Sequence, residues 1–469
     1  MALENTHYGA ARIADMLRDC KSIFFVGIGG INLSSLAHVT HERGYRVGGS
    51  DRVRTAIVNR LATEGIAIFD GHAAEHIHGY DALVYTVAVG TDNPEYCEAQ
   101  RRGIPCISRS DYLGYLMTEY RVRVGISGTH GKSTCTSMCA EILLRAGCEP
   151  TVLSGAELAL MGGAYHVGGN DLCVFEACEY MDSFLDFNPT VAVVLNVELD
   201  HVDYFADLSQ MRTSFGRFMA RTGQGGLAVL NADDAETMRA AADFGGELLT
   251  FGIENETARV RATGVHTQNG KYAFGIEIDG EPLCEVVLAV SGYHNIYNAL
   301  AAAAVCHRYG LSGEEIAAGL AAFGGARRRM EYRGTCRGAA LYDDYAHHPT
   351  EIRATLSGAR KLTEGRLFCV FQSHTYSRTY ALLDDFSAAL RLADRVLVTD
   401  IYAARETDTK GLTPAVFANR IGDCAMPVGD FRTAAEVLEK ELRAGDVAVI
   451  MGAGDVYKVF DYLGECHGM

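Results

Sequence analysis

The apolar residues of this chain gather in short unbroken runs that stop at glycine or polar residues, and these runs alternate with longer stretches whose apolar positions recur at helical spacing. The run 21–30, KSIFFVGIGG, predicts a buried strand breaking into glycines; residues 31–43 predict a helix, 45–48 a second strand, and 66–69 and 82–87 two more. Unbroken runs suit strands covered on both faces, and strands alternating with helices build parallel sheets. The pattern restarts at 121–127, with runs at 171–176 and 191–196, and again beyond about residue 327, with strands at 339–342, 366–371, 395–399 and 446–451. Between these blocks, glycine-bearing alternating segments from 260 to 290 predict a small antiparallel edge, followed by a helix starting near His294. The expected class is α/β, with three domains at 1–120, 121–325 and 326–469, each built on a mainly parallel, Rossmann-like sheet.

The length agrees, since 469 residues exceed what one hydrophobic core organises and suggest about three domains. No stretch approaches the roughly 20 apolar residues of a membrane span, and the start MALENTHYGAARIADML lacks a basic opening and an apolar signal core. No membrane partner is expected, and a cytoplasmic location is. The 14 cysteines are scattered, several inside apolar runs such as Leu172-Cys173-Val174, which suits reduced thiols, and no CxxC pair points to zinc. A formal charge of −17 argues against a nucleic-acid partner. It leaves an anionic ligand open, because screening over roughly 8 Å makes local groups outweigh distant carboxylates. No feature of the sequence fixes the oligomeric state.

The most informative segment is GTHGKST, 128–134, set between a strand and a helix. Gly128 and Gly131 let the backbone curl so that the N–H groups of Thr129, His130 and their neighbours point inward, and the following helix adds its positive end. Lys132 then meets the terminal phosphates of ATP and the Ser133 hydroxyl holds Mg²⁺, with Thr134 completing the loop. A strict phosphate-loop pattern wants glycine at 126, where this chain has Ile126, so the reading rests on the strand-loop-helix context.

Ligands in open parallel sheets bind beyond the carboxyl ends of strands, so polar residues at those ends carry the next candidates. Glu176 and the segment 196–201 should share the crevice of Lys132. Ser133 with Glu176 forms a partial Mg²⁺ shell, and His201 either ligates a metal or packs. In the first block Gly27, Ile28, Gly29 and Gly30 match part of a dinucleotide fingerprint, and Asp51 either accepts from a ribose hydroxyl or caps a turn. The third block ends its strands in DDYAHH (343–348), QSH (372–374), Asp400 and GAGD (452–455), with Pro349 presetting the exit from the first of these.

Taken together, GIGG at 27–30, GTHGKST, Glu176 with Glu179, NVELDHVD at 196–203, HNIYN at 294–298, RRRME at 327–331, DDYAHHPTEI at 343–352, QSHTYSRT at 372–379, DIYAARE at 400–406 and GAGD resemble the Mur ligases from end to end, within them the alanine-adding branch. The resemblance implies an N-terminal domain for a UDP-sugar, a central P-loop ATPase domain and a C-terminal domain that closes and brings the amino acid. It implies that L-alanine is joined to the lactyl carboxylate of UDP-N-acetylmuramate through an acyl phosphate, with ATP and Mg²⁺; the same chemistry on another amino acid or a recycled peptide is the alternative. By position it implies Gly27 to Gly30 and Asp51 for the UDP-sugar, residues 128–134 with Asn295, Arg329 and Asp344 for ATP, Ser133, Glu176 and His201 for metal, and Tyr345, His348, His374 and Arg378 for the amino acid. Lys132, Glu176, His201 and His348 form the catalytic set. Several Mur ligases bridge metals with a carbamylated lysine; no lysine occurs here between Lys132 and Lys271, which agrees with the alanine-adding branch. The chain departs from the commoner pattern at Asn32-Leu33, Cys178, Tyr180 and Thr375. A nicotinamide dehydrogenase would explain GIGG but not GTHGKST, and a regulatory ATP module would need none of DDYAHHPTEI.

Overall fold

The computed structural model describes residues 3–268, 271–404, 406–408, 411–464 and 466–467; Arg405 of the DIYAARE motif lies outside them. Internal contacts divide the chain into two units: residues up to Val197 with Arg212–Val260 and Ala301–Gly319, and Glu198–Met211 with Arg261–Leu300 and the chain from Leu320 onward.

The first unit carries two parallel sheets. One has the order Ala67–Asp70, Arg46–Asp51, Ser22–Val26, Ala82–Tyr85, Cys106–Ser108, all parallel. The strand Ser22–Val26 is buried along its whole length, which is why its sequence shows no alternation. In the other, the strands run Glu247–Gly252, Leu227–Asn231, Val191–Val194, Val122–Ser127, Leu172–Glu176, Thr151–Leu158 and Gly163–His166, the last antiparallel to its neighbour. Residues Asn5 to Gly9 strap the two together: Asn5 Nδ2 donates to Met181 O at 3.3 Å and Ser183 Oγ at 3.2 Å, and Thr6 Oγ1 donates to Asp111 at 2.7 Å.

The second unit contains a sheet in the order Ala425–Gly429, Arg395–Thr399, Leu367–Phe371, Val447–Met451, Ala339–Asp344, Glu331–Cys336, Cys466–His467. It is parallel up to Ala339–Asp344 and antiparallel beyond. Its coverage on both faces is visible in one strand: Leu367, Cys369 and Phe371 enter one buried cluster, Phe368 and Val370 the other. The antiparallel strands expected between 260 and 290 are Val260–Gln268, Lys271–Ile278 and Glu281–Val287. The mainly parallel α/β class expected from the sequence is the class observed. Among the described residues no helix is long and apolar enough to cross a membrane, and the cysteines from Cys20 to Cys424 are free thiols.

Candidate active site

The GTHGKST loop follows the buried end of Val122–Ser127 and opens the helix Lys132–Arg145. Gly128, at φ +140°, turns where a Cβ would come within 3.0 Å of Leu195 and 3.2 Å of the Asn196 backbone, so a side chain has no place there. Asn196 clamps the loop: its carbonyl accepts from Thr129 N at 3.1 Å, its side-chain oxygen accepts from His130 N at 2.8 Å, and its side-chain nitrogen donates to His130 O at 3.1 Å. Lys132 Nζ donates to Gly128 O at 2.6 Å and Thr129 O at 3.2 Å, and reaches both carboxylate oxygens of Glu179 at 3.1 and 2.9 Å. Burial works against the Lys132 charge, but Glu179 outweighs it and holds the ammonium above its ordinary pKa. Ser133 is buried at the helix start.

Glu176 ends its strand as expected, and its carboxylate is engaged sideways: Oε1 accepts from Gly155 N at 2.5 Å and Ser154 Oγ at 3.2 Å. Glu179, fully buried, is the carboxylate that faces Lys132. It does so because Met181 and Asp182 adopt φ of +54°, turning the chain sharply after the strand; such local strain collects at functional loops. Position in the sequence favoured the strand-end residue, and only this turn distinguishes the two.

At the other sheet of this unit, Gly27 has φ +82°, and Gly27 N and Ile28 N donate to Ser50 O at 2.9 and 3.0 Å. Asp51 accepts from Gly29 N at 2.9 Å and Val53 N at 3.1 Å, so both carboxylate oxygens cap backbone amides of this turn, each keeping a lone pair for a ligand hydroxyl. A Cβ on Gly29 would meet Asp51 Oδ2 and Val58 Cγ2 at 2.8 Å. Gly30 stands at the start of the helix Ile31–Glu42. The unusual Asn32 is exposed there, and Leu33 is buried.

In the second unit the strand Ala339–Asp344 delivers DDYAHH. Asp344 accepts from Met330 N at 2.7 Å, Ala346 N at 2.9 Å and Thr355 Oγ1 at 3.1 Å, shaping the loop; burial raises its pKa. Asp343 lies 3.4 Å from Arg328 and 3.7 Å from Arg333, yet burial still pushes it up to about 6. Arg328 and Arg329 stack on Tyr345, at 5.0 and 5.1 Å from its ring centre. His348 caps the helix Pro349–Arg360, in a capping box with Glu351. His347 Nδ1 lies 3.1 Å from Tyr345 O; a carbonyl only accepts, so Nδ1 carries the proton. The His347 and His374 rings lie 6.2 Å apart, and His374 stacks on Tyr402 at 5.2 Å. Burial first, and Arg378 besides, depress both imidazoles, His347 to about 3 and His374 to about 4, so both are neutral at pH 7.

Arg378 donates from Nε to Asp200 Oδ1 at 2.8 Å and from Nη2 to Oδ2 at 3.3 Å, and from Nη1 to His374 O at 2.6 Å. Burial disfavours the Asp200 charge, but His201 and Arg378 hold its carboxyl well below the usual range. His201, at φ +50°, donates its N–H to Asp200 at 2.7 Å. Asn295 opens the helix His294–Arg308, its side chain donating to Ser291 O at 2.6 Å and accepting from Asn298 at 3.0 Å. The structure thus gathers residues 128–134 with Glu176 and Glu179 in one unit, and His201, Tyr345, His348, His374 and Arg378 in the other. Asn196, Asp200 and His347 carry geometry that sequence reasoning did not assign.

A phosphate-binding loop joined to this C-terminal sheet narrows the choice of family. Residues 22–121 match the model of the Mur ligase family catalytic domain, 126–306 the Mur ligase middle domain and 328–454 the Mur ligase glutamate ligase domain. The chain belongs to the Mur ligase family. It is similar to UDP-N-acetylmuramate--L-alanine ligase of Acetivibrio thermocellus, 43% identical with 94% of each chain covered. The protein of the same name from Caldicellulosiruptor bescii is 40% identical, with 94% of this chain and 97% of that one covered. Among solved structures, UDP-N-acetylmuramate-alanine ligase of Thermotoga maritima superposes with a TM-score of 0.79 at 28% identity, covering 94% of this Mur ligase and 98% of that chain.

Proposed function

We propose that this Mur ligase joins L-alanine to the lactyl carboxylate of UDP-N-acetylmuramate, with ATP converted to ADP and phosphate, in cytoplasmic synthesis of the cell-wall precursor. The observation that carries the reading is 43% identity, across 94% of both chains, to a relative named for that reaction. The geometry of the P-loop supports it.

A carboxylate does not expel water to join an amine at neutral pH, so it must first be activated. In this reading a carboxylate oxygen of the sugar acid forms a bond to the γ-phosphorus as the bond to the β–γ bridging oxygen breaks, its electron pair leaving with ADP. The amine then displaces phosphate from the acyl phosphate. Phosphoryl transfer of this kind needs alignment and neutralised charge more than covalent help. Lys132, pinned by Gly128 O, Thr129 O and Glu179, is a preset cation for the terminal phosphates. Gly27 to Gly30 and Asp51 take the UDP-sugar; Asn295, Arg329 and Asp344 serve the nucleotide; Tyr345, His348, His374 and Arg378 serve the amino acid. Ser133, Glu176 and His201 are the proposed Mg²⁺ ligands. Glu179 joins them as a buried carboxylate whose two oxygens already face a cation; hard oxygen donors of this kind suit the ion. Mg²⁺ would supply neutralisation of developing phosphate charge. On the amino-acid side, neutral imidazoles at His347 and His374 add no positive charge to repel the alanine ammonium.

The test is phosphate release by the purified protein given ATP, UDP-N-acetylmuramate and single L-amino acids. Alanine-dependent turnover that disappears in Lys132→Ala is expected. Turnover preferring another amino acid or a recycled peptide would favour the alternative, and turnover indifferent to the sugar would reject the reading.

A further inference from the structure

The helix Arg109–Met117 begins at the carboxyl end of the strand Cys106–Ser108, the edge at which parallel sheets hold their ligands. It lies directly on the loop that follows Glu179, since a Cβ on Gly114 would come 2.1 Å from Asp186 O and Asn188 Nδ2 donates to Gly114 O at 3.3 Å. The polar groups of its first turn are satisfied. Asp111 accepts from Thr6 Oγ1 at 2.7 Å, Tyr8 N at 2.6 Å and Gly9 N at 3.0 Å. Ser110 Oγ donates to Asp186 Oδ2 at 2.5 Å, while Asp186 Oδ1 meets His7 Nδ1 at 2.5 Å.

Arg109, between them in sequence, is the exception. It is partly buried, and among the described residues no hydrogen bond or ion pair engages its guanidinium. Burial lowers its pKa, opposed by the nearby Cys178 thiol and the Asp186 carboxylate. A guanidinium offers five N–H donors in a fixed fork and does not shed its charge, so a partly buried one with no protein acceptor keeps that fork available to an anionic ligand. Its surroundings say which: Cys178 adjoins Glu179, which holds Lys132, so Arg109 lies between the UDP-sugar sheet and the phosphate loop. There the reaction must bring a carboxylate up to a polyanionic triphosphate, and Lys132 is already matched by Glu179.

We propose that Arg109 binds the lactyl carboxylate of the sugar nucleotide through paired N–H···O bonds and so presents it to the terminal phosphoryl group. The assignment rests on the ligase reading. An arginine suits it better than a lysine, because its planar fork fixes the carboxylate plane as well as cancelling its charge, while each carboxylate oxygen keeps a second lone pair for attack.

The experiment is calorimetric binding of UDP-N-acetylmuramate and of UDP-N-acetylglucosamine, which shares the nucleotide and sugar but lacks the lactyl acid, to the wild-type protein and to Arg109→Met. In the variant, UDP-N-acetylmuramate should bind about tenfold or more weakly, as loss of charge-assisted hydrogen bonds implies, and UDP-N-acetylglucosamine should change less than about twofold. The thermal midpoint should hold or rise, because the substitution breaks no hydrogen bond or ion pair and removes a charge that burial disfavours. Equal weakening of both nucleotides, or a variant that retains the wild-type preference for the acid, overturns the assignment. If the wild-type protein itself shows no alanine-dependent phosphate release with UDP-N-acetylmuramate, the ligase reading fails instead.

Discussion

Two glutamates three positions apart divide their work by where their oxygens point. Glu176 is tied to Ser154 and Gly155 of the adjacent strand, whereas Glu179 is the buried counter-charge of Lys132. Glu179→Gln keeps the shape and removes the charge, leaving the ammonium with neutral carbonyl acceptors alone. Breaking a buried pair costs about 3–5 kcal/mol, and the 16% exposure of the Lys132 side chain puts this one at the lower end. Glu176→Gln should cost about 1 kcal/mol, because an amide oxygen still accepts from Gly155 N. Urea unfolding of both variants measures the difference; equal losses would mean that the Lys132–Glu179 contact carries no special weight. Turnover of Glu179→Gln should also fall by about a hundredfold, since a preset cation at the phosphates would be loosened. The sequence could not rank the two carboxylates, because spacing alone does not reveal that Met181 and Asp182 turn back at positive φ.

At the level of elements the phosphate loop is held from outside itself. Its curl depends on Asn196, which follows a neighbouring strand and contacts both the N–H and the carbonyl of His130. Asn196→Ala should therefore raise the KM for ATP by about tenfold through loop disorder, as two lost hydrogen bonds imply, while Lys132 and Ser133 remain unaltered in sequence. A KM within twofold of wild type would show that the loop holds its own shape. The elements the sequence revealed are those with unbroken apolar runs, such as Ser22–Val26, Leu172–Glu176 and Leu367–Phe371, all covered on both faces. Most of those it did not reveal had weaker patterns, although Leu227–Asn231 was missed despite an apolar run buried throughout. Cys106–Ser108 is only three residues long, and Thr151–Leu158 interleaves serine and glycine. That loss mattered for the site, because Cys106–Ser108 is the strand that positions Arg109. The chemistry at strand ends was legible wherever a strand was; the cross-strand clamps, Asn196 on the loop and Asp200 on Arg378, were not, since each joins residues far apart in sequence.

For the molecule as a whole, the buried titratable groups of the second unit set a pH dependence whose sign can be worked out. Unfolded, His347 and His374 titrate near their ordinary value of about 6.5; folded, burial holds them down to about 3 and about 4. Folded-state values below the unfolded ones mean that the stabilisation is full above pH 6.5 and is lost as pH falls. Asp343 acts in the opposite sense: burial lifts it to about 6, so between pH 4 and 6 the folded chain binds a proton there that the unfolded chain does not. In that window the unfolded chain carries two extra protons on the histidines and the folded chain one on Asp343. Among these three groups the net difference of one proton raises stability with pH by about 1.4 kcal/mol per unit, and Asp344, also raised by burial, subtracts from it. Urea unfolding at several pH values between 4.5 and 6 measures that slope. His374→Gln should lower that slope and Asp343→Asn should raise it, each by about 1.4 kcal/mol per unit, because each removes one group from the proton balance. A slope that neither substitution changes would place the acid sensitivity elsewhere, whereas opposite shifts in the two variants would tie it to the same strand ends that carry the proposed amino-acid chemistry. Neutral imidazoles beside Arg378 are thus maintained at a cost in acid stability, and in that form they add no positive charge against an incoming ammonium.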